Sequence, residues 1–186
     1  MLSLAKENHT NALLQGRGQP GTHDMELGRR ILEELKSSSN GKTLSLPVYD
    51  KSRNNGQGDR SKETVEVKTP LDVVIFEGWC MGFYPLTEMN LQRRYHDCRK
   101  SRGEEEEWSD HASDPYFASH SLQNLLQINT LLQSYLDWYS HIDAFVQLKP
   151  DDLNNVFSWR LQAEHAMKAA GKDGMSDEQV HAFVAR

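Results

Sequence analysis

A layered α/β fold is what this sequence of 186 residues predicts, on three observations. Val73-Val-Ile-Phe76 is an unbroken apolar run containing β-branched residues, the pattern of a strand buried on both faces of a parallel sheet. Patterns of helical spacing flank it on either side. A second short apolar run, Ala144 to Leu148, sits between two further helical patterns and is stopped by Pro150. Helices alternating with buried strands are how such layers are written in sequence.

Taken in order, residues 1–23 are polar, and Gly16, Gly18, Pro20 and Gly21 close them as a turn-rich loop. A helix is expected from Asp24, a good N-cap, with Leu27, Ile31 and Leu35 on one face. The Ser37-to-Gly41 breaker ends it. Leu44 to Tyr49 reads as a short strand, and residues 50–63 as a polar, glycine-containing loop. The principal strand is residues 71–77, which carries Glu77 to a glycine turn. Residues 91–120 hold Arg93-Arg94, Arg99-Lys100, the run Glu104 to Glu107 and three histidines, and read as a disordered surface insertion. A helix over 122–139, a strand over 144–148 and a helix over 155–170 follow. The last carries Val156, Trp159, Ala163 and Met167 on one stripe. Ser176-Asp-Glu-Gln179 is a capping box that opens a final helix. The whole reads as one domain over 1–186.

Net charge is −6, from 21 basic and 27 acidic residues, which argues against a general nucleic-acid binder. Hydrophobic residues make up 37 %, and no apolar stretch approaches the ~20 residues of a membrane span. The mean hydropathy of −0.72 is polar for a folded domain, so solvated segments are expected. Cys80 and Cys98 stand in unrelated contexts and read as reduced thiols of a cytoplasmic protein.

Several groups bear on chemistry. Gly41-Lys42-Thr43 lacks the earlier glycine, the preceding strand and the following helix of a phosphate loop, so it reads as a helix-ending turn. Gly16-Arg17-Gly18-Gln19-Pro20-Gly21-Thr22-His23-Asp24 allows a ligand close to backbone, with Arg17, His23 and Asp24 able to bind hydroxyls or phosphate. The plain alternative is a loop whose Asp24 only caps a helix. Tyr49, Asp50, Lys51, Asp59 and Arg60 crowd one loop beside a strand end, which weighs evenly between a solvated loop and a site. Glu77, ending an apolar strand, is costly to bury without a partner such as Mg²⁺ or a cation. Arg160 and Glu164 either pair along a helix or leave Arg160 to neutralise charge near transferring phosphate. His96, His111 and His120 lack metal-ligand spacing.

Leu14-Gln-Gly-Arg-Gly-Gln-Pro-Gly-Thr-His-Asp24, Leu46-Pro-Val-Tyr-Asp-Lys-Ser52, Gly58-Asp-Arg60, Phe76-Glu-Gly-Trp79 with Gly82-Phe83, Trp159 to Glu164 and Gly174 to Val180 together resemble the D-glycerate 3-kinase family. The resemblance is greatest to its fungal ATP-dependent kinase-like branch, and it is collinear outside residues 91–120. It implies a P-loop kinase fold, with a parallel sheet between helices, transferring the γ-phosphate of Mg-ATP to a small hydroxy compound such as D-glycerate. By the same resemblance, Glu77 would lie near Mg²⁺ as the strand-end acid. Arg17, His23, Asp24, Tyr49, Asp50 and Arg60 would line the acceptor site, and Arg160 would close over the phosphates. In the family the Gly-x-x-x-x-Gly-Lys-Ser/Thr loop and the first two strands precede this region, so an incomplete sheet without the P-loop is expected. Two readings follow: a small-molecule kinase, inactive as this chain, or a non-catalytic binding module that keeps the acceptor pocket.

Overall fold

The computed structural model describes residues 7–37, 41–50, 53–54, 58–78, 80–101, 117–152, 154–171 and 173–184. Two compact units emerge, Met1–Ala144 and Phe145–Arg186. Among the described residues no helix is long and apolar enough to cross a membrane.

In the first unit, a 3-10 turn at Ala12–Leu14 precedes α1 (Met25–Ser37), then β1 (Thr43–Asp50) and β2 (Asp59–Lys68). Helix α2 (Glu88–Ser101) follows, then a second 3-10 turn at Phe117–Ser119, α3 (Leu122–Leu132) and α4 (Tyr135–Tyr139). Helix α1 forms as its sequence dictates. The Asp24 carboxylate accepts the Leu27 N–H at 3.0 Å, satisfying one of the helix's orphan donors. Leu27, Ile31 and Leu35 are half-buried on one face.

The two strands form an antiparallel hairpin, with Leu44 opposite Val67 and Leu46 opposite Val65. The register shifts between Pro47 and Tyr49, so that Tyr49 meets Arg60 and Asp50 meets Asp59. Proline has no N–H to give a ladder, and it sits here where the ladder is interrupted. Strand β2 begins inside the stretch 50–63 that the sequence suggested was a loop. Its charged side chains are compatible with a strand because nearly all of them face water.

The expected parallel sheet is not formed among the described residues; the hairpin is the only sheet there. Residues 71–77 are not a buried strand. They run without ladder pairing, and Val73 and Ile75 are 75 % and 88 % exposed. An apolar run becomes a buried strand only when neighbours cover it, and no described strand lies beside this one. The same holds for 144–148, where Val146 and Leu148 stand exposed. The helix expected over 122–139 is broken at Gln133-Ser134 into α3 and α4. Residues 91–101, read as part of an insertion, belong to α2, with Leu91 and Tyr95 buried; residues 102–116 lie outside the described set.

Two small cores hold this unit. Leu13, Leu91, Tyr95 and Leu125 form one. Leu132, Tyr135 and Trp138 form the other, with Met25, Leu32, Cys80, Met81 and Tyr139 around it. The second unit pairs α5 (Asn155–Ala169) with α6 (Asp177–Val184) around buried Val180. Its capping box is made: the Ser176 N–H donates to Gln179 Oε1 at 2.8 Å and the Gln179 N–H to Ser176 Oγ at 3.2 Å.

Candidate functional site

The glycine loop before α1 is fixed at several points. Gly18 and Gly21 take φ of 114° and 88°, values that a side chain resists. The Thr22 hydroxyl donates to the Gln19 carbonyl at 2.7 Å and accepts the Gly18 N–H at 3.0 Å. A Cβ at Gly21 would meet Leu131 at 2.7 Å, so only glycine lets the loop lie this close to α3. The Gly21 N–H donates to the Tyr135 hydroxyl at 3.1 Å, and His23 Nδ1 lies 2.6 Å from the same oxygen. The Cys80 thiol donates to the Gly18 carbonyl at 3.1 Å, and burial pushes its pKa up to about 11.

This anchoring delivers Asp24 to the hairpin. While Oδ1 caps α1, Oδ2 meets Arg60 Nη1 at 3.1 Å. One carboxylate therefore caps the helix and meets an arginine of the hairpin at once. Tyr49 lies on Gly58, where an added Cβ would come within 2.4 Å of its hydroxyl, and Gly58 itself has φ 80°. Arg53 Nη1 donates to the Arg60 carbonyl at 2.6 Å, bracing the hairpin end. Val48, Tyr49, Asp50, Arg53, Ser61, Lys62 and Glu63 line an open hollow of about 500 Å³ on this hairpin. Lys51 and Gly56, in the same loop, lie outside the described residues.

The structure brings Asp24 to Arg60 and sets Tyr49 and Asp50 on the paired strand. His23 joins the Tyr135 cluster, and Arg17 is half-buried in the glycine loop. Glu77 is different. It is exposed rather than buried, and no hydrogen bond or ion pair joins it to Asp24 or Arg60. The Phe76 ring beside it packs edge-on to Trp138 at 5.6 Å, which ties that end of the segment to α4.

In the second unit, Arg160 Nη2 pairs with Glu164 Oε1 at 2.5 Å, and its guanidinium lies 5.3 Å from the Phe183 ring centre. Glu164 is 3 % exposed and also accepts the Met175 N–H at 2.9 Å. The pair is thus built into the packing rather than laid on a wet helix face. Arg160 Nε is buried with no hydrogen-bond partner among the described residues.

Comparison with known proteins gives these parts a frame. The chain is 40 % identical over 187 residues to D-glycerate 3-kinase, chloroplastic, of Arabidopsis thaliana, covering 98 % of this chain and 35 % of that one. It is 35 % identical over 192 residues to the probable ATP-dependent kinase TDA10 of Saccharomyces cerevisiae, covering 100 % and 58 %. The solved D-glycerate 3-kinase from Cryptococcus neoformans superposes with a TM-score of 0.85 at 41 % identity, over 99 % of this chain and 60 % of that one. The chain is a homologue of D-glycerate 3-kinase and the fungal ATP-dependent kinases. It spans between 35 % and 60 % of the length of these relatives. No protein-family model matches it.

Within this glycerate-kinase homologue, the P-loop kinase fold explains why single extended segments such as 71–77 stand beside helices. The 186 residues contain no Gly-x-x-x-x-Gly-Lys-Ser/Thr cradle for ATP phosphates. Among the described residues no three His, Cys, Asp or Glu side chains gather as metal ligands. Mg²⁺ in phosphoryl-transfer sites takes one or two carboxylates and fills its shell with water and phosphate. Glu77, exposed and bearing no ion pair among the described residues, suits one such ligand.

Sequence reasoning missed Tyr135, Trp138 and Tyr139. Trp138 fills the space left by Gly28, and its Nε1–H donates to the Met25 carbonyl at 2.9 Å. The Tyr139 hydroxyl lies 2.8 Å from the Cys80 carbonyl and 3.1 Å from that of Phe83. The available signal was Tyr135-x-x-Trp138-Tyr139, three polar-tipped aromatics in one helical turn. Such groups need hydrogen-bond partners when buried.

Proposed function

We propose that this chain carries the acceptor-binding part of an ATP-dependent kinase that phosphorylates a hydroxyl of a small anionic compound such as D-glycerate. The observation that carries this reading is the Asp24–Arg60 pair, which joins the glycine loop to the hairpin at 3.1 Å. Arg60 offers a planar fork of donors suited to a carboxylate. Arg17 and Lys62 add positive charge nearby in sequence or along the hairpin. Asp24, Asp50 and the Tyr49 hydroxyl are acceptors and donors for the hydroxyl groups of the same compound, and His23 adds a ring nitrogen. A neutral compound would make no use of the arginines.

In this reading Glu77 is a Mg²⁺ ligand. The ion, when bound, neutralises charge on the transferring phosphoryl group. Arg160 is the charge-neutralising residue of α5, with Nε free to donate while Glu164 holds Nη2. The relatives' names support both the ATP-dependent chemistry and the glycerate class of acceptor.

The test is a phosphotransfer assay with Mg-ATP and D-glycerate, run beside calorimetric binding of D-glycerate alone. Formation of phosphoglycerate supports the kinase reading in full. Binding without turnover supports the second reading, a module that keeps the acceptor pocket. If D-glycerate neither binds nor reacts, the acceptor-site assignment is wrong.

A further inference from the structure

Tyr135 has no accessible surface, and its hydroxyl oxygen lies where the glycine loop meets α4. The Gly21 N–H donates to it at 3.1 Å. His23 Nδ1 stands 2.6 Å away. A phenol has one proton and two lone pairs. With the Gly21 N–H on one lone pair, the phenolic proton is directed to Nδ1.

The opposite assignment fails on its own terms. If Nδ1 carried a proton, both it and the Gly21 N–H would donate to the oxygen, and the buried Tyr135 O–H would have no acceptor among the described residues. Nδ1 therefore accepts, and the imidazole proton sits on Nε2. Among the described residues no hydrogen bond reaches Nε2, and it is not among the buried polar atoms left unsatisfied. That nitrogen is open to an incoming group.

The groups facing His23 are the Tyr135 and Trp138 rings of α4, with centroids 5.7 Å and 6.0 Å away, and Asp24 next in the chain. The Asp24 carboxylate is already engaged by Arg60. Burial lowers the His23 pKa, which favours the neutral ring.

We infer that Tyr135 is a positioning residue whose hydroxyl locks His23 as the neutral Nε2–H tautomer, presenting Nε2–H as a hydrogen-bond donor to an oxygen of the acceptor. The second half of this statement rests on the acceptor-site reading above; the first half does not.

The experiment is long-range ¹H–¹⁵N correlation NMR of the histidine side chains of the protein, with the His23 signals assigned by His23→Gln. The expected result is a single Nε2–H tautomer for His23 in the unliganded protein, with its Nε2 signal moving when D-glycerate is added. Tyr135→Phe is expected to leave His23 exchanging between tautomers and to weaken D-glycerate binding roughly tenfold. A His23 protonated at Nδ1, observed in the unmodified protein, overturns the assignment without any variant having to fold. An unchanged His23 signal while calorimetry records D-glycerate binding overturns the donor role and leaves the acceptor site standing. If D-glycerate does not bind at all, the acceptor reading falls, and the tautomer alone decides whether Tyr135 positions His23.

Discussion

Asp24 Oδ2 and Arg60 Nη1 lie 3.1 Å apart, although one residue caps a helix and the other opens the second strand of a hairpin. Both side chains are about half exposed, at 47 % and 56 %. Exposed pairs of this kind contribute about 0–1 kcal/mol to folding. Arg60→Ala is therefore expected to change stability by less than about 1 kcal/mol in chemical denaturation. A large loss of stability would mean that the pair serves the fold.

Asp24 separates its two roles by substitution. Asp24→Asn keeps a side-chain oxygen for the Leu27 N–H but loses the charge that Arg60 meets. Asp24→Ala loses both and is expected to cost a further ~1 kcal/mol as α1 loses its cap. Equal thermal midpoints for the two variants would contradict the capping role.

Gly28→Ala runs against the usual rule that alanine stabilises a helix interior. The new Cβ would lie 2.2 Å from Trp138 Cζ2, and that ring is held by its bond to the Met25 carbonyl. Overpacking of this sort costs about 1–3 kcal/mol, more than the ~1 kcal/mol that alanine contributes over glycine. A variant more stable than the parent in urea titration would show that Trp138 moves aside freely.

Stability should fall in alkali. Burial pushes the Cys80 thiol from 9.0 up to about 11 and Tyr135 from 10.0 up to about 12. In that range the folded state holds protons that the unfolded chain has released, so the slope of unfolding free energy with pH is negative. The contribution is intact below pH 9 and is lost as pH rises through the folded values. Urea titrations from pH 8 to 11 should show the decline, shallower in Cys80→Ala; a flat profile would contradict it.

How much of this was legible in sequence follows from what each segment needs. Helix α1 and the capping box at Ser176 were readable because their determinants are local: an oxygen at the N-cap and apolar residues at helical spacing. Strand β2 was not, because Asp-Arg-Ser-Lys-Glu-Thr at residues 59–64 has no apolar alternation, and its pairing is dictated by β1 across the hairpin. Val73 to Phe76 misled in the other direction. Its composition fits a covered strand, but coverage is a property of neighbours. At the site, Asp24 and Arg60 were named separately, while their meeting is tertiary. Tyr135 escaped notice because nothing in its own segment reveals the loop it anchors.

Glu164 tests the second unit. It holds Arg160 and the Met175 N–H from a buried position. Glu164→Ala strands a guanidinium and a backbone donor, and is expected to cost about 3–5 kcal/mol within that unit. Hydrogen exchange of α6 should accelerate strongly; unchanged protection would mean that the pair is dispensable.

The most direct test of an acceptor site built on Asp24 and Arg60 is isothermal calorimetry of D-glycerate with the protein and with Arg60→Ala. Measurable binding that weakens by roughly tenfold to a hundredfold in the variant is the predicted result, the loss expected for one charge-assisted contact. Equal affinity in the two proteins would contradict it.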